Sequence, residues 1–135
     1  MELVKQAPTF KGPENWFTGD VWGDTLFRGE EPSRLRAGMV KFSPGARTVW
    51  HSHGLGQALY IVQGIALIQA RGGEIVEARP GDVVWTPPGE EHWHGAAPDS
   101  FMIHLALWET DDVSWLEPVA GAEYSDPRVS THTRS

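Results

Sequence analysis

An all-β domain, a small antiparallel sandwich or barrel, is the fold class this sequence predicts, and three observations carry the prediction. Fifteen glycines and ten prolines fall within 135 residues, so the chain turns often. Between the turns lie short apolar or alternating runs of strand length, several rich in β-branched and aromatic residues. The runs are closed by turn signals at fairly regular spacing, the pattern of a sandwich or barrel. The length suits one domain with a core that needs no cross-links.

Taken in order, residues 1–14 are polar and turn-rich and read as an arm or an edge strand. Trp16 to Phe27 sets aromatics between glycines and reads as one or two short strands. Arg28 to Arg34 is a charged loop, and Leu35 to Phe42 alternates as a strand does. Ser43-Pro44-Gly45 turns the chain into Thr48 to His53, the next strand. Ala58 to Gln63, Ile65 to Ala70 and Glu74 to Ala78 follow. Gly64 parts the first two, and Arg71-Gly72-Gly73, a hairpin signal, parts the others. Arg79-Pro80-Gly81-Asp82 turns into Val83 to Thr86, and Pro87-Pro88-Gly89 is a sharp loop before His92 to His94. Ser100 to Trp108 is a long apolar strand. Trp115, Leu116, Val119 and Tyr124 in the tail are expected to pack on the outside of the domain, with a short helix near Ala120 to Tyr124 and an unstructured end. The organisation is a single domain over 1–135, its barrel core at about 35–109, with a polar arm at each end.

Composition removes several function classes. With no cysteine, a disulfide framework, a thiolate metal site and a cysteine nucleophile are all excluded. A net charge of -7, from 11 basic and 18 acidic residues, argues against binding to nucleic acid or to an anionic membrane surface. The N-terminus lacks the apolar run of a signal peptide, and no run reaches the length of a membrane span, so the expected location is cytoplasmic. Phosphate-loop, dinucleotide and nucleophile-elbow motifs are absent.

The chemistry concentrates in two blocks. Gly45 to Gly64, GARTVWHSHGLGQALYIVQG, holds His51, His53 and Gln57; Gly81 to His94, GDVVWTPPGEEHWH, holds His92 and His94. Residues two apart on a strand share a face, so His51 and His53 point the same way, and Gly54-Leu55-Gly56 can bend the chain to bring Gln57 to the same centre. Imidazole nitrogen and amide oxygen suit a borderline divalent metal, which gives a predicted ligand set of His51, His53, Gln57 and His92. These ligands are all neutral and leave the metal's charge uncompensated, so the site should attract an anion and acidify bound water. Four ligands on a six-coordinate metal leave open positions. Mn²⁺ or Fe²⁺ fits that description, with Ni²⁺ and Zn²⁺ as alternatives.

His94 has the strand parity of His92 and is expected as a partner of a ligand, a substrate donor or a base. His104 lies in an apolar run, where it is either a core histidine bonded to a backbone carbonyl or the chain's best general acid/base. Trp50, Trp93 and Trp108 are the tryptophans placed near the pocket by their neighbours. Lys41 and Arg47 are read as surface residues, with substrate binding the alternative. His132, in the polar tail, is set aside.

The two blocks resemble the paired motifs of the cupin superfamily. Gly45, His51, His53, Gln57 and Gly64 fall at the spacing of the first motif, with Gln in place of Glu. Gly81, Pro87, Gly89 and His92 match the second, with Ala96 in place of Asn. The resemblance implies a small antiparallel β-barrel of the jelly-roll type, a homodimer or higher homo-oligomer, with one metal inside. The segments KGPENWFTG, PGARTVWHSHGLGQ, PGDVVW and PGEEHWHGAAP further resemble the manganese-dependent bacterial cupin hydroxynitrile lyases. That likeness implies manganese on His51, His53, Gln57 and His92, His104 as the pocket acid/base, and cleavage or formation of a small cyanohydrin. It departs at Trp108, where those lyases carry Gln; an indole there narrows the pocket. A metal-dependent dioxygenase and a non-catalytic small-molecule-binding barrel are the alternative expectations.

Overall fold

A computed structural model of the chain describes residues 1–125 and the backbone of 129–130. His132 and the unstructured end expected for the tail lie outside the described residues. In chain order the strands are β1 (Phe10–Lys11), β2 (Phe17–Thr18), β3 (Val21–Arg28), β4 (Leu35–Phe42), β5 (Arg47–Thr48), β6 (His51–His53) and β7 (Gln57–Gly64). They continue with β8 (Ala66–Ala70), β9 (Ile75–Ala78), β10 (Val83–Thr86), β11 (His92–Ala96), β12 (Met102–Glu109), β13 (Val113–Trp115) and β14 (Val129–Ser130); a helical turn, α1, is Gly121–Tyr124.

Two curled sheets face one another as a jelly roll. The first runs β1-β3-β4-β12-β7-β10 and the second β13-β6-β11-β8-β9-β14, with β2 and β5 joined to the second through β11. All pairings are antiparallel except β14 on β9. Pairing reaches beyond 35–109 on both sides, since β3 lies against β4 along its length and β13 closes on β6.

Alternation along each strand decides what fills the space between the sheets. Leu59 and Ile61 on β7, Met102 and Ala106 on β12, Phe42 on β4 and Ile68 on β8 point inward and form the main core. Fully burying each large apolar side chain contributes about 1.5–3 kcal/mol. A second cluster sits on the other face of the second sheet. There Trp50, Leu67, Ile75 and Trp93 are covered by Val119 and Tyr124 of the C-terminal segment, and the Tyr124 hydroxyl donates to the Ala96 carbonyl at 2.6 Å. The tail therefore packs outside the barrel at Val119 and Tyr124, as expected, but Trp115 is drawn into the second sheet beside the site. No helix among the described residues is long and apolar enough to cross a membrane.

One expected strand is broken in two. Thr48 to His53 contains four successive buried residues, Thr48 to His51, since the second sheet is covered on both faces. The chain kinks at Val49-Trp50, whose amides turn to the carbonyls of Trp16 and Glu117, both at 2.9 Å. The kink lets β5 pair with Gly95 of β11 while β6 pairs with His92.

Candidate metal centre

The kink sets the parity of β6, so that His51 and His53 both face the interior. His51 and His92 are direct cross-strand partners, which brings their rings to 4.3 Å between centroids. Gly56 closes the turn after β6, donating to the His53 carbonyl at 3.1 Å. It does so at φ +84°, with the Trp85 ring where a Cβ would stand, and so only glycine fits. The next residue, Gln57, opens β7 from the opposite sheet and faces the same space. One potential ligand nitrogen from each of His51, His53 and His92 lies within 4.8 Å of the others.

Hydrogen bonding prepares these rings for a cation. Nδ1–H of His51 donates to the Val49 carbonyl and Nδ1–H of His92 to the Glu90 carbonyl, both at 2.9 Å. A carbonyl can only accept, so each ring carries its proton on Nδ1 and turns a bare Nε2 to the other side. Among the described residues, His92 Nε2, both ring nitrogens of His53 and Oε1 of Gln57 are buried without a hydrogen-bond partner. One nitrogen of the neutral His53 ring is an N–H, so the orphaned acceptors are its bare nitrogen, His92 Nε2 and Gln57 Oε1, and a shared divalent metal satisfies these together. The donor set thus fits the metal that the motif implies.

The imidazoles are neutral by environment. Burial, then the charge of His92, brings His53 down to about 4, only partly offset by the Gln57 amide. Burial likewise lowers His92 and drives His51 well below its ordinary value, the latter helped by His92. Neutral rings are the ligand form, so neither nitrogen has to be deprotonated to bind metal.

Next to this cluster lies a second histidine unit. His104 Nε2 and His94 Nδ1 are 2.9 Å apart. His94 Nε2 and His104 Nδ1 are buried without partners. Burial holds His104 at about 4 and pushes His94 well below its ordinary value. Both rings, with His51, His53 and Gln57, line a cavity of about 240 Å³ whose walls are apolar: Phe10, Trp16, Phe17, Val40, Trp108 and Trp115 among them.

All the sequence-predicted site residues therefore come to one cavity, except that His92 reaches it only through the metal cluster. Trp108 lines it, beside its strand partner Gln57. Trp50 and Trp93 do not: they belong to the second core on the far side of the sheet. Lys41 pairs with Asp24 at the surface, and Arg47 stacks on Tyr124 and donates to the Gly45 and Val119 carbonyls. Sequence reasoning missed Trp115 and Trp16. Trp115 lies against His51, 4.9 Å between centroids, and stacks on Trp16 at 4.7 Å. Their signal was no more than two aromatics in the flanking arms.

Comparison with known proteins agrees with this geometry. Residues 38–108 match the family model described as the cupin domain. The chain belongs to the cupin family. Within it, this cupin is 50% identical over 127 residues to an (R)-mandelonitrile lyase of Granulicella tundricola, covering 92% of this chain and 97% of that one. It thus stands close to the hydroxynitrile lyases. A cupin-like protein from Thermotoga maritima is 37% identical, superposes with a TM-score of 0.81, and is matched over 92% of this chain and 95% of its own. A cupin 2 conserved barrel domain protein from Rhodopseudomonas palustris, 20% identical with a TM-score of 0.69 over 82% of this chain and 77% of its own, shares the fold.

Proposed function

We propose that this cupin is a manganese-dependent hydroxynitrile lyase that cleaves and forms small, uncharged cyanohydrins. The observation that carries the reading is the juxtaposition, in one apolar cavity, of a neutral three-His and Gln cluster with a buried His94–His104 pair. The relative from Granulicella tundricola, named as an (R)-mandelonitrile lyase, supports it. His51, His53, Gln57 and His92 would hold the metal. Bound there, the metal supplies Lewis-acid charge for an oxygen or cyanide lone pair, undiminished by any carboxylate.

The chain's own residues account for the proton. Two neutral imidazoles carry two protons on four nitrogens, and the contact between His94 and His104 takes one of them. The other must sit on an outer nitrogen, leaving the opposite outer nitrogen bare. The pair therefore presents an acid and a base at once. In cleavage the bare nitrogen accepts the substrate hydroxyl proton, and the C–CN electron pair leaves with cyanide as the carbonyl forms. The outer N–H protonates the cyanide as the inner proton shifts between the rings, which leaves acid and base exchanged until proton exchange with solvent restores them. A low proton affinity suits a group that has to release what it takes up. Among the described residues the cavity lining contains no Lys, Arg, Asp or Glu, which favours an uncharged substrate body.

The proposed setting is the cytoplasm and the proposed assembly a homodimer. The outer face of the first sheet supports the latter. Val83, Tyr60, Leu105 and Met39 form one cross-strand row, and Trp85, Ala58, Leu107 and Ala37 the next. Val83, Trp85, Tyr60 and Leu107 in these rows are exposed. To test the activity, Mn²⁺-loaded protein is given racemic mandelonitrile, and benzaldehyde and cyanide release are followed. Metal-free protein and His53→Ala serve as controls. Metal-dependent, enantioselective release is expected. No release from protein holding about one metal per chain would overturn the lyase reading.

A further inference from the structure

We infer that Arg71 is a positioning residue for the metal centre, acting from outside the cavity; the inference rests on the metal-centre reading above. Trp115, His51, His92 and Ala70 form one row of cross-strand partners over β13, β6, β11 and β8. Arg71 follows Ala70, and its side chain runs along the ends of those strands. Its backbone N–H donates to the Glu91 carbonyl at 2.9 Å, and its Nε to Glu91 Oε1 at 3.0 Å. Nη1 and Nη2 reach the two carboxylate oxygens of Glu117 at 3.2 and 3.0 Å. The guanidinium lies 4.0 Å over the Trp50 ring.

Each of these partners neighbours a member of the row. Trp50 precedes His51, Glu91 precedes His92, and Glu117 lies two residues after Trp115. Trp50 and the Glu117 segment are also joined by backbone bonds, Trp50 N–H to Glu117 O at 2.9 Å and Leu116 N–H to Trp50 O at 2.8 Å. A single exposed ion pair contributes little. Here one rigid planar fork meets two carboxylates and an aromatic face, so a slip of any one strand disturbs the whole set. Metal–ligand distances fall in a narrow range, so lateral registry of His51 against His92 bears on affinity. Arg71 thus fixes where the two imidazoles stand without touching metal or substrate.

The test compares wild type, Arg71→Met, Arg71→Lys and Glu117→Gln as full-length, metal-free proteins. Mn²⁺ affinity is measured by calorimetry, and the visible spectrum of bound Co²⁺ reports ligand geometry. Arg71→Met is expected to weaken Mn²⁺ binding about tenfold, the low end of what outer partners of metal ligands cost, and to alter the Co²⁺ spectrum. Arg71→Lys restores part of the affinity. Glu117→Gln weakens binding less, and combined with Arg71→Met it adds nothing further, because the two act as one contact. Wild-type affinity and spectrum in Arg71→Met, or additive losses in the double variant, overturn the role of Arg71 alone. A wild-type chain that binds neither ion overturns the metal centre, and the role of Arg71 with it.

Discussion

Acid should destabilise the metal-free protein strongly, because five histidines are buried in their neutral form. Unfolded, each titrates near 6.5. Folded, His53 and His104 are held at about 4, and His51, His92 and His94 are displaced the same way, burial being the leading cause throughout. Between these values the unfolded chain takes up protons that the native state refuses. Stability is thus complete above about pH 6.5 and is lost as pH falls towards 4. Counting His53 and His104 alone, going from pH 7.5 to 4.5 costs roughly 2–3 kcal/mol for each, on the order of 5 kcal/mol together. With a urea m-value of about 1.5–2 kcal/mol per molar, the midpoint falls by about 3 M. The assay is urea unfolding of chelator-treated protein across that range, followed by tryptophan fluorescence. His104→Gln, which removes one titrating ring, should reduce the loss by roughly 2–3 kcal/mol. A midpoint that holds steady from pH 7.5 to 5, or a pH slope that His104→Gln leaves unchanged, would refute the assignment of buried neutral rings.

Four further outcomes are expected. Wild type at Mn²⁺ a hundredfold above its dissociation constant gains about 2.7 kcal/mol, while His53→Ala and His92→Ala gain none, as thermal unfolding will show. Trp93→Phe removes the Nε1–H bond to Gln69 Oε1, 2.9 Å long and buried. It should cost about 1–3 kcal/mol in urea unfolding and leave Mn²⁺ affinity alone. Trp115→Ala takes away the ring between His51 and Trp16, with about 0.5–1.5 kcal/mol of stacking, and should lower the enantiomeric excess of the proposed mandelonitrile cleavage. Trp85→Glu places a charge within the exposed apolar rows and should shift the proposed dimer to monomer in light scattering.

The strands were legible where turn residues bracket them, and the expected bounds of Leu35–Phe42 and Val83–Thr86 agree with the structure to the residue. Thr48 to His53 was not, because its amides answer to Trp16 and Glu117, distant partners that no local pattern announces. The histidine cluster was legible for a simple reason. His51, His53 and Gln57 are close in sequence, and one strand parity with one glycine turn brings them together. The link between His94 and His104 was hidden, since it joins opposite sheets. The cavity walls were hidden too. Trp50 and Trp93 sit beside site histidines in the sequence, but neighbours on a strand face opposite ways, and that sends Trp93 to the far core.

The stack of Trp16 on Trp115 has a practical meaning for protein engineering. The segment that matches the cupin domain, 38–108, holds every candidate ligand and both members of the histidine pair. Yet Phe10, Trp16, Phe17, Val113 and Trp115, much of the wall a substrate would meet, come from the two flanks. Cradle and doorway are thus separable parts of one gene. Chimeras that exchange only the ends between relatives would transplant selectivity while sparing the metal, and an affinity tag fused ahead of Phe10 would sit at the threshold of the cavity.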